Sequence, residues 1–211
     1  MSTRNLTIGI AAILVALIAV ITVTSGGGED SADAKETDGA FIVGMIPHHE
    51  SAIEMAEIAA EEAEHPEVKE LAGRIVSAQA AEIDELQSIH QRLFGQPISQ
   101  ASHGTLGMAE HEMGMGMNAS ELKGAQPFDR EFIDMMVPHH QGAIRMARVE
   151  LASGEDPDLM EISEAIIDAQ TREINEMNRW RTEWYGKPSP AGGVPAEGEE
   201  MTMPSHEEMG H

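Results

Sequence analysis

Met45-Ile46-Pro47-His48-His49 decides how this chain folds, because it returns as Met136-Val137-Pro138-His139-His140. Both pentapeptides lie inside a longer duplication. Residues 41–97 align without a gap with 132–188, at an offset of 91, with 21 identities in 57 positions. An ungapped repeat of that length is one supersecondary unit used twice. The two copies retain apolar residues at helical spacing and a small set of side chains able to bind metals.

At 100° per residue, Phe41, Met45, His48, Ala52, Met55 and Ala59 share one narrow stripe, with Ile42, Ile46, His49 and Ile53 along its flank. Glu50, Glu54, Glu57 and Glu61 point elsewhere and read as a solvated face. The spacing predicts a first helix that ends near Ala63, where His65-Pro66 breaks it. Pro66 then opens a second helix with Val68, Leu71, Ile75, Gln79, Glu82, Leu86 and Leu93 on its inner stripe, terminated by Gly95 and Pro97. The second unit repeats this from Asp129 to Tyr185, with its break at Asp156-Pro157. Asp38 and Asp129 are placed to cap the first helix of each unit. Neither amphipathic hairpin can bury its stripe alone. Two of them, over residues 38–188, make an all-α four-helix bundle, and no stretch alternates with the period of a strand.

Pro47 and Pro138 are unusual positions. The helical stripe continues upstream of each, so both fall inside a helix and are expected to kink it, at a cost of about 3 kcal/mol or more.

Within the bundle, His48 lies between Met45 and Met55 beside the small Ala52; Met136, His139, Ala143 and Met146 match it. On the second helix of each unit, Gln79 and Glu82, and Gln170 and Glu173, occupy positions where the pattern calls for apolar residues. A carboxylate left unpaired there would be costly, and the imidazole of His48 or His139 is the expected partner. One histidine on an apolar stripe is more often a satisfied core residue, and methionines at this spacing are more often packing. Duplication of the whole set, with a facing carboxylate each time, shifts the reading toward a metal site. Two chemistries fit. Imidazole and thioether without thiolate favour copper, especially Cu(I), with Glu82 and Glu173 orienting the imidazoles. Alternatively, histidines and glutamates from four helices hold iron. That version is weaker, because the di-iron pattern needs Glu-x-x-His on two helices and only Glu62-x-x-His65 supplies one. His49 and His140, about 100° further round, are either rim ligands or surface donors.

Composition narrows the function classes. Thirty-seven acids against thirteen bases leave a net charge of −24, which repels phosphate backbones and excludes nucleic acid as a partner. There is no cysteine, so disulfides and thiolate metal sites are excluded, and 15 methionines supply the soft sulfur. Arg4 precedes an uncharged run, Leu6–Val23, which is long for a cleaved signal and reaches roughly 27 Å as a helix. Residues 1–25 read as a transmembrane signal anchor, or a signal peptide if cleaved after Val23-Thr24-Ser25; either way the domain faces outward. Residues 26–37 read as a flexible acidic spacer. The linker 98–126 carries Met108, His111, Met113, Met115 and Met117, and the tail 189–211 carries Met201, Met203, His206, Met209 and His211. Both are expected to be mobile arms that offer several thioethers and imidazoles to one soft ion.

The repeated Met-x-Pro-His-His followed by Ala-Ile-x-Met-Ala, here Met45 to Ala56 and Met136 to Ala147, resembles the domain-of-unknown-function 305 family over most of 38–188. That resemblance implies a ferritin-like helical bundle exported from bacterial cells, in some members a copper binder using methionine and histidine. Carried over, it implies Met45, His48, His49 and Met55 with Met136, His139, His140 and Met146 as ligands. The lipoprotein-type members have an anchor cysteine that this chain lacks. The expected function is therefore non-enzymatic copper binding outside the membrane, to buffer copper or hand it to a transfer partner. A ferritin-like oxidase and a metal-free interaction module are the alternatives.

Overall fold

The computed structural model describes residues 27–96, 98 and 106–196, with side chains from Asp33 onward. These residues are helical without a strand: α1 (Gly27–Glu62), α2 (Pro66–Phe94), a short 3-10 turn (Ala119–Leu122), α3 (Phe128–Ser153) and α4 (Pro157–Tyr185). α1 and α2 form one hairpin and α3 and α4 the other. The hairpins meet through α1 against α3, while α2 and α4 touch each other little. The run Leu6–Val23 falls outside the described residues, and none of the described helices is long and apolar enough to cross a membrane.

The stripe read from the repeat is the core. Phe41, Met45, His48, Ala52, Met55 and Ala59 are all fully buried, and Glu50, Glu54, Glu57 and Glu61 are exposed. Pro47 and Pro138 lie inside continuous helices. Pro66 and Pro157 each open the second helix of a hairpin, and Gly95 and Gly186 close it in the left-handed conformation.

Three expectations need correction. The spacer expected over 26–37 is instead the first turns of α1 from Gly27. Acidic composition predicts solvation rather than loss of helix, and Glu, Ala and Lys are good helix formers. The end of α2 also supports this segment: Lys35 Nζ sits 5.4 Å from the centre of the Phe94 ring, which packs against Gly39. The linker is not a free arm over 106–126. Met113, Ala119 and Leu122 are buried, and Leu106, Met108 and Met115 pack partly buried on the core. Nor is the tail loose at its base. Gln141 Nε2 donates to the carbonyls of Ala191 (2.8 Å) and Gly193 (2.6 Å), and Arg148 to those of Pro195 (2.9 Å) and Ala196 (3.0 Å). Asn178 Nδ2 donates to the Gly192 carbonyl at 2.7 Å. Met201 and the tail residues after it lie outside the described residues.

Asp38 and Asp129 do not cap their own helices. Each reaches across the pseudo-two-fold axis and holds the turn of the other hairpin. Asp129, fully buried, accepts from the backbone N–H groups of Glu64 and His65, both at 2.9 Å, and from the His65 ring. Asp38 accepts from Glu155 (2.9 Å) and Asp156 (3.4 Å). Those amides would otherwise be orphaned at a helix–helix turn. Asp156 in turn caps α4 and takes a two-pronged contact from Arg92, at 2.9 Å to each oxygen.

One latch carries an addition that the other lacks. Glu150 is fully buried beside Asp38, where the first repeat has Ala59. Burial, and then the hydrogen bond and charge of Asp38, push its pKa up to about 8, so the carboxyl keeps its proton at neutral pH.

Two outcomes follow. Asp129→Ala should cost about 2 kcal/mol in urea unfolding, the scale of hydrogen bonds to a charged acceptor. Glu150→Gln should flatten the pH dependence of stability. The folded protein holds a proton that the unfolded chain releases above 4.5, so wild-type stability declines as pH rises from there to about 8 and is level beyond it. Chemical unfolding at a series of pH values reads that slope.

Candidate metal centre

Adjacent histidines on a helix point about 100° apart, and this offset gives the two rings of each pair different neighbours. His48 faces α3 and meets its repeat-mate His139, with ring centroids 3.8 Å apart and planes tilted by 42°. His49 and His140 face the second helix of their own hairpins. His49 Nε2 lies 2.7 Å from Glu82 Oε2 as a bent ionic contact, and His140 Nε2 donates to Glu173 Oε2 at 2.8 Å. The carboxylates therefore hold the outer imidazoles, not His48 and His139 as the stripe suggested. Glu82 and Glu173 stand at the edge of the interface, still partly exposed, and reach only the flank of the facing helix.

All four imidazoles are fully buried. Burial, then the nearby His49 and His140 rings, lowers the pKa of His48 to about 3. Burial and His48, His140 and His49 push His139 well below its ordinary value. Both rings stay neutral and keep a lone pair. His48 Nε2 lies 3.1 Å from the His139 carbonyl, which can only accept, so Nε2 carries the proton and Nδ1 the lone pair. The carboxylates of Glu82 and Glu173 stand beside Nε2 of His49 and His140, so Nδ1 is the ring nitrogen turned from them.

The donors left over are numerous. Nδ1 of His48, His49 and His140, both ring nitrogens of His139, and the amide oxygens of Gln79 and Gln170 are buried without a hydrogen-bond partner. Buried polar groups are nearly always satisfied, so a cluster of orphans here marks a ligand position. Met45, Met55, Met136 and Met146 are fully buried around it. Met45 and Met146 share one packed cluster, joined by Met113 from the linker; Met55 and Met136 share the other. No three His, Asp or Glu side chains among the described residues form a ready cation cage. The other soft donors buried here are the methionine sulfurs. Neutral imidazole with thioether, in a dry interior and without thiolate, fits copper and Cu(I) above all.

The linker residues separate. Met113 is buried, Met108, Met115 and Met117 are partly exposed, and His111 is exposed. Sequence reasoning missed Gly142 and Gly114. A Cβ on Gly142 would lie 1.9 Å from the Met113 carbonyl oxygen, and one on Gly114 2.7 Å from that of Pro138. A glycine inside a helical pattern, with Ser51 as its repeat-mate, was the available signal of close backbone approach.

The neutral tautomers can be read directly. At about pH 5, long-range nitrogen–proton NMR spectra should show His48 and His139 still as neutral imidazoles. Acidification through 6.5 should cost stability, because the unfolded chain takes up protons that the folded rings refuse.

Comparison with known proteins places this geometry. The family described as domain of unknown function (DUF305) matches residues 38–181 and again 129–211, the second match starting one repeat offset after the first. Solved structures of CopM, in Cu(I)-bound and Cu(II)-bound forms among others, are 40% identical to this chain. The Cu(I)-bound structure aligns with a TM-score of 0.63 over 71% of this chain and 98% of that one. A putative secreted DUF305 protein from Streptomyces coelicolor is 21% identical, with a TM-score of 0.66 over 75% of this chain and 99% of that one, and shows the same fold. The uncharacterized protein L153 of Acanthamoeba polyphaga mimivirus is 38% identical over 50 residues, which are 24% of this chain and 33% of that protein's length.

Proposed function

The chain belongs to the DUF305 family, and we propose that it is a copper-binding protein whose bundle holds a soft cation between its two repeats. The observation that carries this is the pair of neutral, buried imidazoles of His48 and His139, with ring centroids 3.8 Å apart, ring nitrogens lacking partners and methionines on either side. Structures of the 40%-identical CopM in Cu(I)- and Cu(II)-bound forms support copper as the cargo.

In detail, His48 and His139 bind with Met45, Met55, Met136 and Met146. His49 and His140 serve through Nδ1, their rings fixed by Glu82 and Glu173. Thioethers and the absence of cysteine favour Cu(I). The bundle is ferritin-like in layout, but its role is to hold or hand on copper rather than to catalyse. The uncharged run Leu6–Val23 behind Arg4 supports an address outside the cytoplasm, tethered by that segment. The acidic surface concentrates cations near the protein.

Titration of the domain with Cu(I) against a competing chelator tests this. Wild type should compete, His48→Ala/His139→Ala should lose the bundle site, and Glu82→Gln/Glu173→Gln should weaken it roughly 10–100-fold. A double histidine variant that binds as tightly as wild type would refute the bundle site. Iron in the protein as isolated, with oxygen-dependent turnover, would point to an oxidase instead.

A further inference from the structure

The two repeats offer the site symmetric ligands, but they do not cover it symmetrically. The backbone of the linker turn makes its closest approach to α3. Its backbone hydrogen bonds close on themselves: Met113 N donates to Ala109 O (3.1 Å), Gly114 N to His111 O (3.2 Å) and Met115 N to Glu110 O (2.9 Å). Glu112 Oε2 accepts from Ala109 N at 2.6 Å. This preformed turn is pressed onto the stretch Pro138–Gly142. At Gly142 the Met113 carbonyl takes the place of a side chain. At Gly114, where φ is +69°, a Cβ would run into the Pro138 carbonyl and lie 2.9 Å from His139 Cα. In the first repeat Gly142 is replaced by Ser51, whose Cβ forbids the same approach on α1.

The turn also reaches the imidazole pair from one side. Met113 is buried in the cluster that contains Met45 and Met146, not in the one with Met55 and Met136. Its carbonyl lies beside the His48 ring, as does the His139 carbonyl. A neutral imidazole has one N–H to give, and Nε2–H already goes to His139. The Met113 carbonyl is thus a second acceptor beside a ring with nothing left to donate. A cation on the spare lone pair would face that carbonyl oxygen and relieve the mismatch.

We infer that the turn Ala109–Met115 is the removable wall of the bundle copper site. Met113 supplies a third sulfur beside Met45 and Met146, and the ion enters where Met113-Gly114 rests on Gly142. This rests on the proposed copper binding. It assigns the favoured ion position to the Met45/Met146 side of the imidazole pair and makes the linker part of that site rather than a separate capture arm.

The test uses the full chain and Cu(I) as the probe. Met113→Leu keeps the apolar volume and should weaken Cu(I) binding about tenfold against a chelator, and remove one sulfur scatterer in X-ray absorption. Met160→Leu, in the first turn of α4, should leave both unchanged. Gly142→Ala retains every donor and should speed Cu(I) release several-fold. It should also speed hydrogen exchange at the amides of Met113 and Met115 in metal-free protein, with helical content by circular dichroism unaltered. Gly114→Ala tests the same contact from the linker side and should have the same effect. If Met113→Leu matches wild type while His48→Ala/His139→Ala loses copper, the linker proposal fails and the bundle site stands. If the double histidine variant also binds normally, both fail. Unchanged exchange and release in both glycine variants would overturn the wall.

Discussion

The contact between His48 and His139 sets the terms for the rest of the molecule. Two amphipathic hairpins bury their stripes against each other along α1 and α3, and at the centre of that seam both present an imidazole. Water is excluded there, so neither ring takes up a second proton, and ring nitrogens that would otherwise be solvated are left as donors. Most of the seam around them is Ala, Ile, Met and Phe, chosen for close approach. The fold thus keeps two basic groups in a form that suits a soft metal and refuses a proton.

The outer pairs complete this arrangement without sharing it. His49 and His140 touch carboxylates that remain partly exposed, so each hairpin carries its own His–Glu contact at the margin and contributes one bare imidazole to the middle. Around the imidazole pair, the carboxylates stay at the margin. The interior is left to nitrogen and sulfur.

Much of this was legible in the residues, and the parts that were not share a cause. The repeat and its 3.6-residue spacing place Phe41 through Ala59 on one face, and every one of those positions is buried. His48 and the four bundle methionines were read correctly as interior because burial of a helix face depends on local periodicity alone. Glu82 and Glu173 were matched to the wrong histidines because choosing between neighbours 100° apart requires the lateral offset of two helices, which spacing does not encode. Asp38 and Asp129 look like ordinary caps, yet their partners are more than sixty positions away. The linker and the tail base read as loose from composition. They are held by Gly142, Gln141 and Arg148 on α3, none of which has an equivalent in the first repeat.

The crossed aspartates carry a consequence for ancestry. Each hairpin's turn takes a carboxylate from its neighbour, and the relation is reciprocal. A single unit in isolation would lack a partner for its turn amides, but two identical copies facing each other would supply both. The interaction is by nature intermolecular. Joining the copies through a linker would have left it intact while freeing each half to diverge, which is how Glu150 could arise opposite Ala59 and Gly142 opposite Ser51. The present chain has the layout of a two-fold dimer with its halves joined, and its linker gives that symmetric pair a front and a back.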